Sequence, residues 1–453
     1  MKKNIKLKER NAIIQSLKSG VVPKIGLQYI QVGRNKEISS FIKNIESIEK
    51  DGTFFRFVIG EYGSGKTFFI QLVKEMALTK NLVVINADLS PEKRLNGSNG
   101  QARKLYSELM SSCSTRSKKD GNALTNILDN FITEAREYSE KKEISILDAI
   151  RFKLKEVKAV NGGYDFSIVL NKYWEAYDSG DDILKDNTLR WFKGEYSTKT
   201  EAKNDLGVRT IIDDYSFYDS LKLFSVLVRK AGYEGLLICL DEMVNLFKIT
   251  NSVSRKNNYE EILRILNDTL QGNIKSVGFI MGGTPEFLTD RNRGLYSYEA
   301  LKSRLAENNF AKELGIVDYD SIVLRLSNLS KEEIFVLLCK LRDIYASGDK
   351  EKYLISDDGL QAYLKHCYQS VGECYFKTPR NTIKDFLDLL SILDQNPDLQ
   401  LNKIIKNIDV KEDKEETEVG NIASTFKDET EKSSYQKLID NKSNEDEFAT
   451  LSI

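Results

Sequence analysis

Histidine is almost absent from this sequence and its cysteines are unpaired, which argues against one common class of metal site. His366 is the only histidine. The five cysteines are scattered and form no C-x-x-C pair: Cys113, Cys239, Cys339, Cys367 and Cys374. Structural zinc sites need four cysteine or histidine ligands at characteristic spacings, so we expect none here. An odd number of scattered cysteines is also typical of a reducing compartment.

Long apolar runs are missing as well. No stretch approaches the roughly 18 consecutive apolar residues that indicate a membrane-spanning helix. The basic N-terminal stretch MKKNIKLKER is not followed by an apolar segment, which argues against a secretory signal peptide. The sequence therefore predicts a soluble, cytoplasmic protein with no membrane partner.

Charge is balanced over the whole chain but not along it. The 453 residues are 41% hydrophobic, enough to bury the cores of two or three domains, and their net charge is −1. Segment 409–453 has thirteen Asp and Glu against six Lys, a net of −7, and predicts a disordered acidic tail. Because the whole chain carries −1, the other residues carry +6. That surplus permits contact with DNA without requiring it.

Short apolar runs alternate with helical patterns. The runs predict five buried parallel strands at 54–60, 82–88, 236–242, 276–283 and 321–327. Patterns with helical spacing, such as those at 67–78 and 259–270, separate most of them. Alternating strands and helices predict an α/β fold with a covered parallel sheet and right-handed crossovers.

A glycine-rich stretch after the first predicted strand fits a phosphate-binding loop. GEYGSGKT, from Gly60 to Thr67, matches G-x-x-x-x-G-K-[ST] between a strand and a helix. Lys66 is expected to reach the β- and γ-phosphates of ATP, and the Thr67 hydroxyl to bind Mg²⁺. The remaining loop residues expected to cradle phosphates with backbone N–H groups are Gly60, Gly63, Ser64 and Gly65.

The run LLICLDE supplies two carboxylates at the end of the third predicted strand. Asp241 would hold Mg²⁺, directly or through water. Glu242 would orient and deprotonate the attacking water, the task of a general base. A strand that ends in two acidic residues is common by itself, but its combination with the phosphate loop favours an ATPase.

The fourth predicted strand ends at Thr284. Strands expected on either side of the Asp241 motif suit the ATPase class with an extra strand between the phosphate loop and the Mg²⁺ aspartate. In that class a polar residue at the end of this strand senses the γ-phosphate or the attacking water. A plain turn built from Gly282, Gly283 and Pro285 explains the same residues, so the sequence leaves both interpretations open.

Several arginines lie where such ATPases place residues that act on the γ-phosphate. Arg304 follows the fourth strand at the position of an arginine finger, which stabilises transition-state charge in a neighbouring subunit. Arg291 and Arg293 are rival candidates. Arg380 begins a C-terminal helix from which it would reach the phosphates, and Arg34 would order the loop that covers the nucleotide.

These motifs predict a P-loop ATPase architecture. We expect an N-terminal segment at 1–30 and an ATPase core at 31–300 that contains a helical insertion at about 100–205. The fifth strand and a helical lid domain follow at 301–400, before the tail at 409–453.

The sequence resembles the BREX-system ATP-binding protein family, AAA+-like ATPases related to origin-recognition ATPases, over about 15–400. The stretches that carry the resemblance, besides the phosphate loop, are 17–38, 87–110, 190–196, 258–272, 282–305 and 378–390. The resemblance implies an ATPase that acts beside a DNA helicase and other proteins of a phage-defence operon. It also implies that Lys66, Thr67, Asp241 and Glu242 lie at the nucleotide, with Arg304 and Arg380 as triggers.

The sequence thus predicts an ATP- and Mg²⁺-dependent ATPase that works on DNA as a homo-oligomer or coupled to a partner. A nucleotide-dependent regulatory switch with little turnover is the alternative. A small-molecule phosphotransferase, with a substrate pocket in the insertion, lacks a visible acceptor-site motif.

Overall fold

A five-stranded parallel sheet forms the centre of the chain. The computed structural model describes residues 5–157, 160–371, 379–399, 401 and 404. The strands are β1 (Thr53–Gly60), β2 (Val83–Asp88), β3 (Leu236–Asp241), β4 (Val277–Gly283) and β5 (Val323–Leu326). Each predicted strand is present within a few residues of its expected bounds, because continuous apolar runs bounded by polar residues mark buried strands.

The strand order is β2-β3-β4-β1-β5, and every neighbouring pair is parallel. Strand β4 therefore lies between β1, which leads into the phosphate loop, and β3, which ends at Asp241. This confirms the predicted extra strand. Parallel pairing also brings the carboxyl ends of the strands to one edge, with Ile59 opposite Gly283 and Asp88 opposite Asp241.

Burial on both faces explains the composition of the strands. All six residues of β1 from Phe54 to Ile59 are buried, and so are all seven residues of β4. Arg56 differs from its apolar neighbours in β1 because it is charged, yet it is buried. Its guanidinium donates to Tyr319 O, Ser40 Oγ and Asn44 Oδ1. Burial lowers its pKa to about 10. These bonds connect β1 to the helix at residues 35–49 and to the segment that precedes β5.

Helices cover the sheet and fill the connections. Before and after β1 lie α1 (Leu7–Lys18), α2 (Leu27–Ile30), α3 (Asn35–Glu49) and α4 (Lys66–Thr79). Between β3 and β4 lie α12 (Val244–Phe247) and α13 (Ser252–Leu270). Between β4 and β5 lie α14 (Pro285–Thr289), α15 (Glu299–Arg304) and α16 (Asn309–Glu313). After β5 lie α17 (Lys331–Tyr345), α18 (Asp357–Val371) and α19 (Pro379–Gln395).

In its described residues, the connection from β2 to β3 is built of α-helices joined by loops. Its helices are α5 (Gln101–Ser111), α6 (Leu124–Lys142), α7 (Ile146–Lys153), α8 (Gly163–Ser179), α9 (Asp182–Phe192), α10 (Lys199–Leu206) and α11 (Phe217–Lys230). Their apolar faces belong to the same buried cluster as one face of the sheet. The predicted helical insertion lies within this connection, but its bounds as a domain stay a prediction.

The N-terminal helix packs with the C-terminal helices. Ile13 of α1 shares a buried cluster with Leu338 of α17 and Leu390 of α19. Arg10 donates from Nε to Ile344 O and Tyr345 O at 3.2 and 3.0 Å. The N-terminal helix and the C-terminal helices of the described chain therefore pack against each other. Among the described residues, no helix has the length and hydrophobicity to span a bilayer. The predicted disorder of the tail at 409–453 lies outside the described residues.

Candidate functional site

The phosphate loop joins β1 to α4 with the backbone geometry that anion binding requires. Gly63 and Gly65 adopt left-handed φ angles of 80° and 82°, which favour glycine. Helix α4 begins at Lys66, so its free N–H groups point toward the loop. Ser64 is buried, yet its Oγ has no hydrogen-bond partner within the described part of the chain. An unpaired buried hydroxyl beside a helix N-terminus is consistent with a loop that binds phosphate oxygens.

Lys66 lies inside the curve of the loop. Its Nζ donates to Gly60 O at 2.7 Å and to Glu61 O at 2.9 Å. Burial lowers the pKa of Lys66, against the opposing influence of nearby carboxylates, first among them Asp241. A partly desolvated ammonium group close to the helix N-terminus strengthens the attraction of this region for anions.

Thr67 and Asp241 meet across the sheet edge. Thr67 Oγ1 donates to Asp241 Oδ2 at 3.0 Å, and Glu242 N donates to Asp241 Oδ1 at 2.9 Å. Gly282 of β4 makes room for this carboxylate, because a Cβ there would lie 2.2 Å from Asp241 Oδ1. The role of Gly282 was missed by sequence reasoning, which considered it only as part of a turn.

The paired oxygens of Thr67 and Asp241 suit Mg²⁺. This ion prefers oxygen ligands, and proteins usually hold it with one or two side chains together with water and substrate phosphates. No cluster of three or more acidic, histidine or cysteine side chains able to hold a metal occurs among the described residues. The Thr67 hydroxyl and the Asp241 carboxylate are two of the oxygen ligands that such a Mg²⁺ would take, together with water and substrate phosphates.

Glu242 adopts an unusual backbone conformation. Its φ of 56° is left-handed, which costs a non-glycine residue on the order of 1–3 kcal/mol. The side chain lines the cleft beside the phosphate loop. Partial burial, followed by the charges of Asp241 and Asp88, raises the pKa of Glu242. Strain and an altered pKa at one residue are typical of functional sites.

Asp88 is a further carboxylate at this edge that sequence reasoning missed. It ends β2 directly opposite Asp241. Partial burial, then the negative charges of Asp241 and Glu108, raises its pKa. The acidic residue at the end of the second predicted strand was the available signal.

Arg34 forms a hydrogen bond to the backbone of the phosphate loop. It has a left-handed φ of 58°, and its Nη2 donates to Ser64 O at 2.8 Å and to Ser327 O at 2.7 Å. These bonds connect the phosphate loop to the end of β5. Burial lowers the pKa of Arg34. The structure thus shows a contact of Arg34 with the phosphate loop, and its predicted role in ordering the loop that covers the nucleotide stays a prediction.

Arg380 enters the cleft from the start of α19. Its Nη1 donates to Tyr62 Oη at 3.0 Å, and its Nε donates to Gly20 O at 2.6 Å. Tyr62 is a variable position of the phosphate-loop motif and received no role from the sequence. Through Tyr62, α19 contacts the phosphate loop directly.

A cavity of about 600 Å³ extends from the phosphate loop between the N-terminal segment and the C-terminal helices. Its volume lies in the range of small-molecule and cofactor sites. One apolar wall consists of Val21, Val22 and Pro23, and another includes Leu337 and Ile383. Sequence reasoning gave the N-terminal segment no part in the site, because nothing local in it signals contact with a ligand.

The model of the family described as BREX system ATP-binding protein BrxC/D matches residues 5–409. The chain belongs to this family. Membership confirms the resemblance and identifies a phage-defence protein that binds ATP, and the phosphate loop and the cavity beside it are the features that suit this ligand. A search of curated proteins found no match.

In this BREX family member, Thr284 is the N-cap of α14. Its Oγ1 accepts a hydrogen bond from Phe287 N at 3.4 Å, the contact of a helix N-cap. Because Gly283 pairs with Ile59, Thr284 follows β4 next to the exit of β1. The helix cap accounts for a polar residue here, and the role of sensing phosphate stays a prediction.

Arg304 lies outside the BREX protein's own cleft. It ends α15, is exposed, and donates from Nε to Asn267 Oδ1 and from Nη1 to Ala300 O, both at 2.9 Å. Its rival Arg293 donates to Ile249 O at 3.3 Å and lies over the ring of Phe247. Both arginines thus have contacts within the chain, and Arg304 is the more exposed of the two.

Proposed function

We propose that the protein hydrolyses ATP at the edge of the sheet where β1 and β3 end. The observation that carries this proposal is the convergence of Lys66, Thr67, Asp241 and Glu242 on one cleft. Two of these residues belong to the phosphate-loop motif, and the other two lie at the end of β3 and directly after it, about 170 residues further along the chain. Such a constellation supplies a phosphate cradle, a metal-binding pair and a base.

Thr67 and Asp241 would hold Mg²⁺. When bound, Mg²⁺ neutralises developing charge on the phosphate oxygens. Lys66 binds the β- and γ-phosphates, and the left-handed glycines of the loop turn N–H groups toward them. Arg34 keeps the loop in place through Ser64 O.

Glu242 acts as the general base on water. Its raised pKa brings it nearer to neutral pH, where a base combines adequate basicity with the deprotonated state. We assign Thr284 to orient the attacking water or the γ-phosphate from the end of the adjacent strand. Arg380 binds the phosphates from the C-terminal wall of the cleft, close to Tyr62.

We infer that Arg304 completes the site of a neighbouring copy. The support is its exposure and its position outside the cleft of its own chain. A single chain would bind ATP but hydrolyse it slowly, since transition-state charge lacks the finger. Turnover would then depend on oligomerisation.

We infer that the work of hydrolysis is done on DNA in the cytoplasm, with a helicase and other proteins of the defence operon as partners. The support is membership of the BREX family together with the surplus of positive charge outside the tail. A nucleotide switch with little turnover is the second candidate, favoured by the position of Arg304, which bonds to Asn267 outside the cleft of its own chain.

Steady-state ATP hydrolysis across protein concentration, with and without single- and double-stranded DNA, tests the proposal. We expect a specific rate that rises with concentration and with DNA. A negligible rate under all conditions, combined with tight ATP binding, would instead support the switch. Failure to bind ATP would refute the nucleotide site altogether.

A further inference from the structure

An exposed apolar segment lies between α15 and β5. We call residues 309–317 the apolar knob. Four large apolar side chains in it are mostly exposed: Phe310 at 78%, Leu314 at 71%, Ile316 at 61% and Val317 at 55%. Single exposed apolar residues are ordinary, but a concentration of four within eight positions is typical of an interaction surface.

Hydrogen bonds give the apolar knob a defined shape. Helix α16 ends in a Schellman motif, in which Ile316 N donates to Ala311 O at 2.9 Å and Gly315 takes a left-handed φ of 63°. Asn308 Nδ2 donates to Asp318 Oδ2 at 3.0 Å and joins the two ends of the knob. Phe310 and Leu314 are four residues apart and therefore share one face. These contacts fix the backbone of the apolar knob, so its exposed side chains have defined positions relative to one another.

The charge of the apolar knob favours a protein partner over nucleic acid. Lys312 and Glu313 are its only charged residues, so its net charge is zero. Binding to nucleic acid draws most of its affinity from Lys and Arg contacts with phosphates, which a neutral apolar surface does not offer. Apolar anchors of this kind are instead typical of the centre of a protein interface.

The same connection carries Arg304, and this points to a second copy of the chain as the partner. Arg304 lies six residues before Phe310 and outside its own cleft. The rim of the cleft exposes apolar groups of its own, with Val21 52% and Tyr62 61% exposed. We propose that the apolar knob of one copy docks against the cleft rim of the next, which brings Arg304 to that copy's nucleotide.

This inference rests on the proposed trans role of Arg304 and names the surface that makes it possible. The contact is head-to-tail, because the knob and the cleft rim are different surfaces of each chain. Each copy therefore contributes a knob to one neighbour and a cleft to another.

The mass of the full chain in solution, measured by light scattering with ATP and Mg²⁺ present, tests the surface. The double variant Phe310→Ser/Leu314→Ser should associate at least tenfold more weakly than the wild type. Ile183→Ser is the matched control, because Ile183 is 78% exposed on α9, and it should assemble normally. Assembly of the double variant at wild-type concentrations would overturn the inference, as would a wild type that stays monomeric with ATP.

Mixing two inactive variants tests the direction of the contact. The double variant Phe310→Ser/Leu314→Ser, called the knob variant, keeps an intact cleft. The Glu242→Gln variant keeps an intact apolar knob and Arg304. Mixed together, they should recover ATP hydrolysis well above the sum of their separate rates, because the Glu242→Gln copy completes the cleft of the knob variant. An unchanged sum would overturn the head-to-tail arrangement. If the wild type itself does not hydrolyse ATP, the proposed function fails, and the measurement of mass still decides the inference.

Discussion

The two arginines predicted to act on the γ-phosphate lie in opposite settings. Arg380 reaches into the cleft of its own chain, where it donates to Tyr62 on the phosphate loop and to Gly20 on the N-terminal wall. Arg304 is exposed outside that cleft, on the connection that carries the apolar knob. The difference separates two settings: the cleft gathers Arg380 and the phosphate loop within one chain, whereas the α15–α16 region exposes Arg304 and the apolar knob at the surface.

Arg304→Ala should give the largest effect and the sharpest test of this comparison. Loss of an arginine finger is expected to lower ATP turnover about a thousandfold or more, while ATP affinity stays unchanged. Steady-state hydrolysis and titration with a fluorescent ATP analogue measure the two quantities separately. Arg151→Ala is the matched control, because Arg151 is an exposed arginine of α7 that pairs with Asp148 and has no place in the proposed site. Normal turnover by Arg304→Ala at every protein concentration would refute the finger.

Glu242→Gln tests the cleft at the chemical step. The amide cannot accept the proton of water, so we expect turnover to fall by about 10²–10⁴-fold. ATP should remain bound, because the substitution leaves the phosphate loop and Asp241 in place. A variant that neither retains ATP nor slows turnover would exclude Glu242 as the base.

Lys66→Ala tests ATP binding, whereas Glu242→Gln tests the chemical step. It removes charge-assisted contacts to the phosphates, so ATP affinity should fall about tenfold to a hundredfold. Lys74→Ala is the control, since Lys74 is a lysine of the same helix that donates to Gln71 Oε1. A loss of turnover with unchanged ATP affinity would mean that Lys66 contributes to the chemical step and not to ATP binding.

The parts of the site that were predictable are those encoded locally. The phosphate loop and the acidic end of β3 each occupy a few consecutive residues, and buried strands mark themselves by apolar runs. The wall that contains Gly20 was not predictable, since its bond to Arg380 joins residues 360 positions apart. The function of Gly282 was hidden for another reason: a glycine at a strand end indicates a turn equally well, and only the position of Asp241 Oδ1 distinguishes the two.

Tyr62→Phe tests whether the cleft orients its own arginine. It removes the hydrogen bond to Arg380 Nη1 but keeps the ring, so the contribution of Arg380 to ATP binding should weaken about fivefold. In an Arg380→Ala background the same substitution should have no further effect, because Tyr62 acts through that arginine. Equal effects in both backgrounds would show that Tyr62 contacts the nucleotide independently.

Asp88→Asn should have the smallest effect and is best measured as a pH profile of turnover. Glu242 serves as a base only when deprotonated, so activity is complete above its pKa and is lost as the pH falls through it. Because partial burial and then the charges of Asp241 and Asp88 raise that pKa, the acid limb should lie above the range of an ordinary glutamate.

Removing the charge of Asp88 takes away one of the groups that raise the pKa of Glu242, so the acid limb should move to lower pH while the rate at neutral pH changes little. Glu92→Gln is the control, since it removes an exposed carboxylate that pairs with Lys104 outside the cleft. A limb that stays in place in Asp88→Asn would mean that the titrating group is not Glu242. The assignment of the base to Glu242 would then fall, and the cleft would keep only its binding groups.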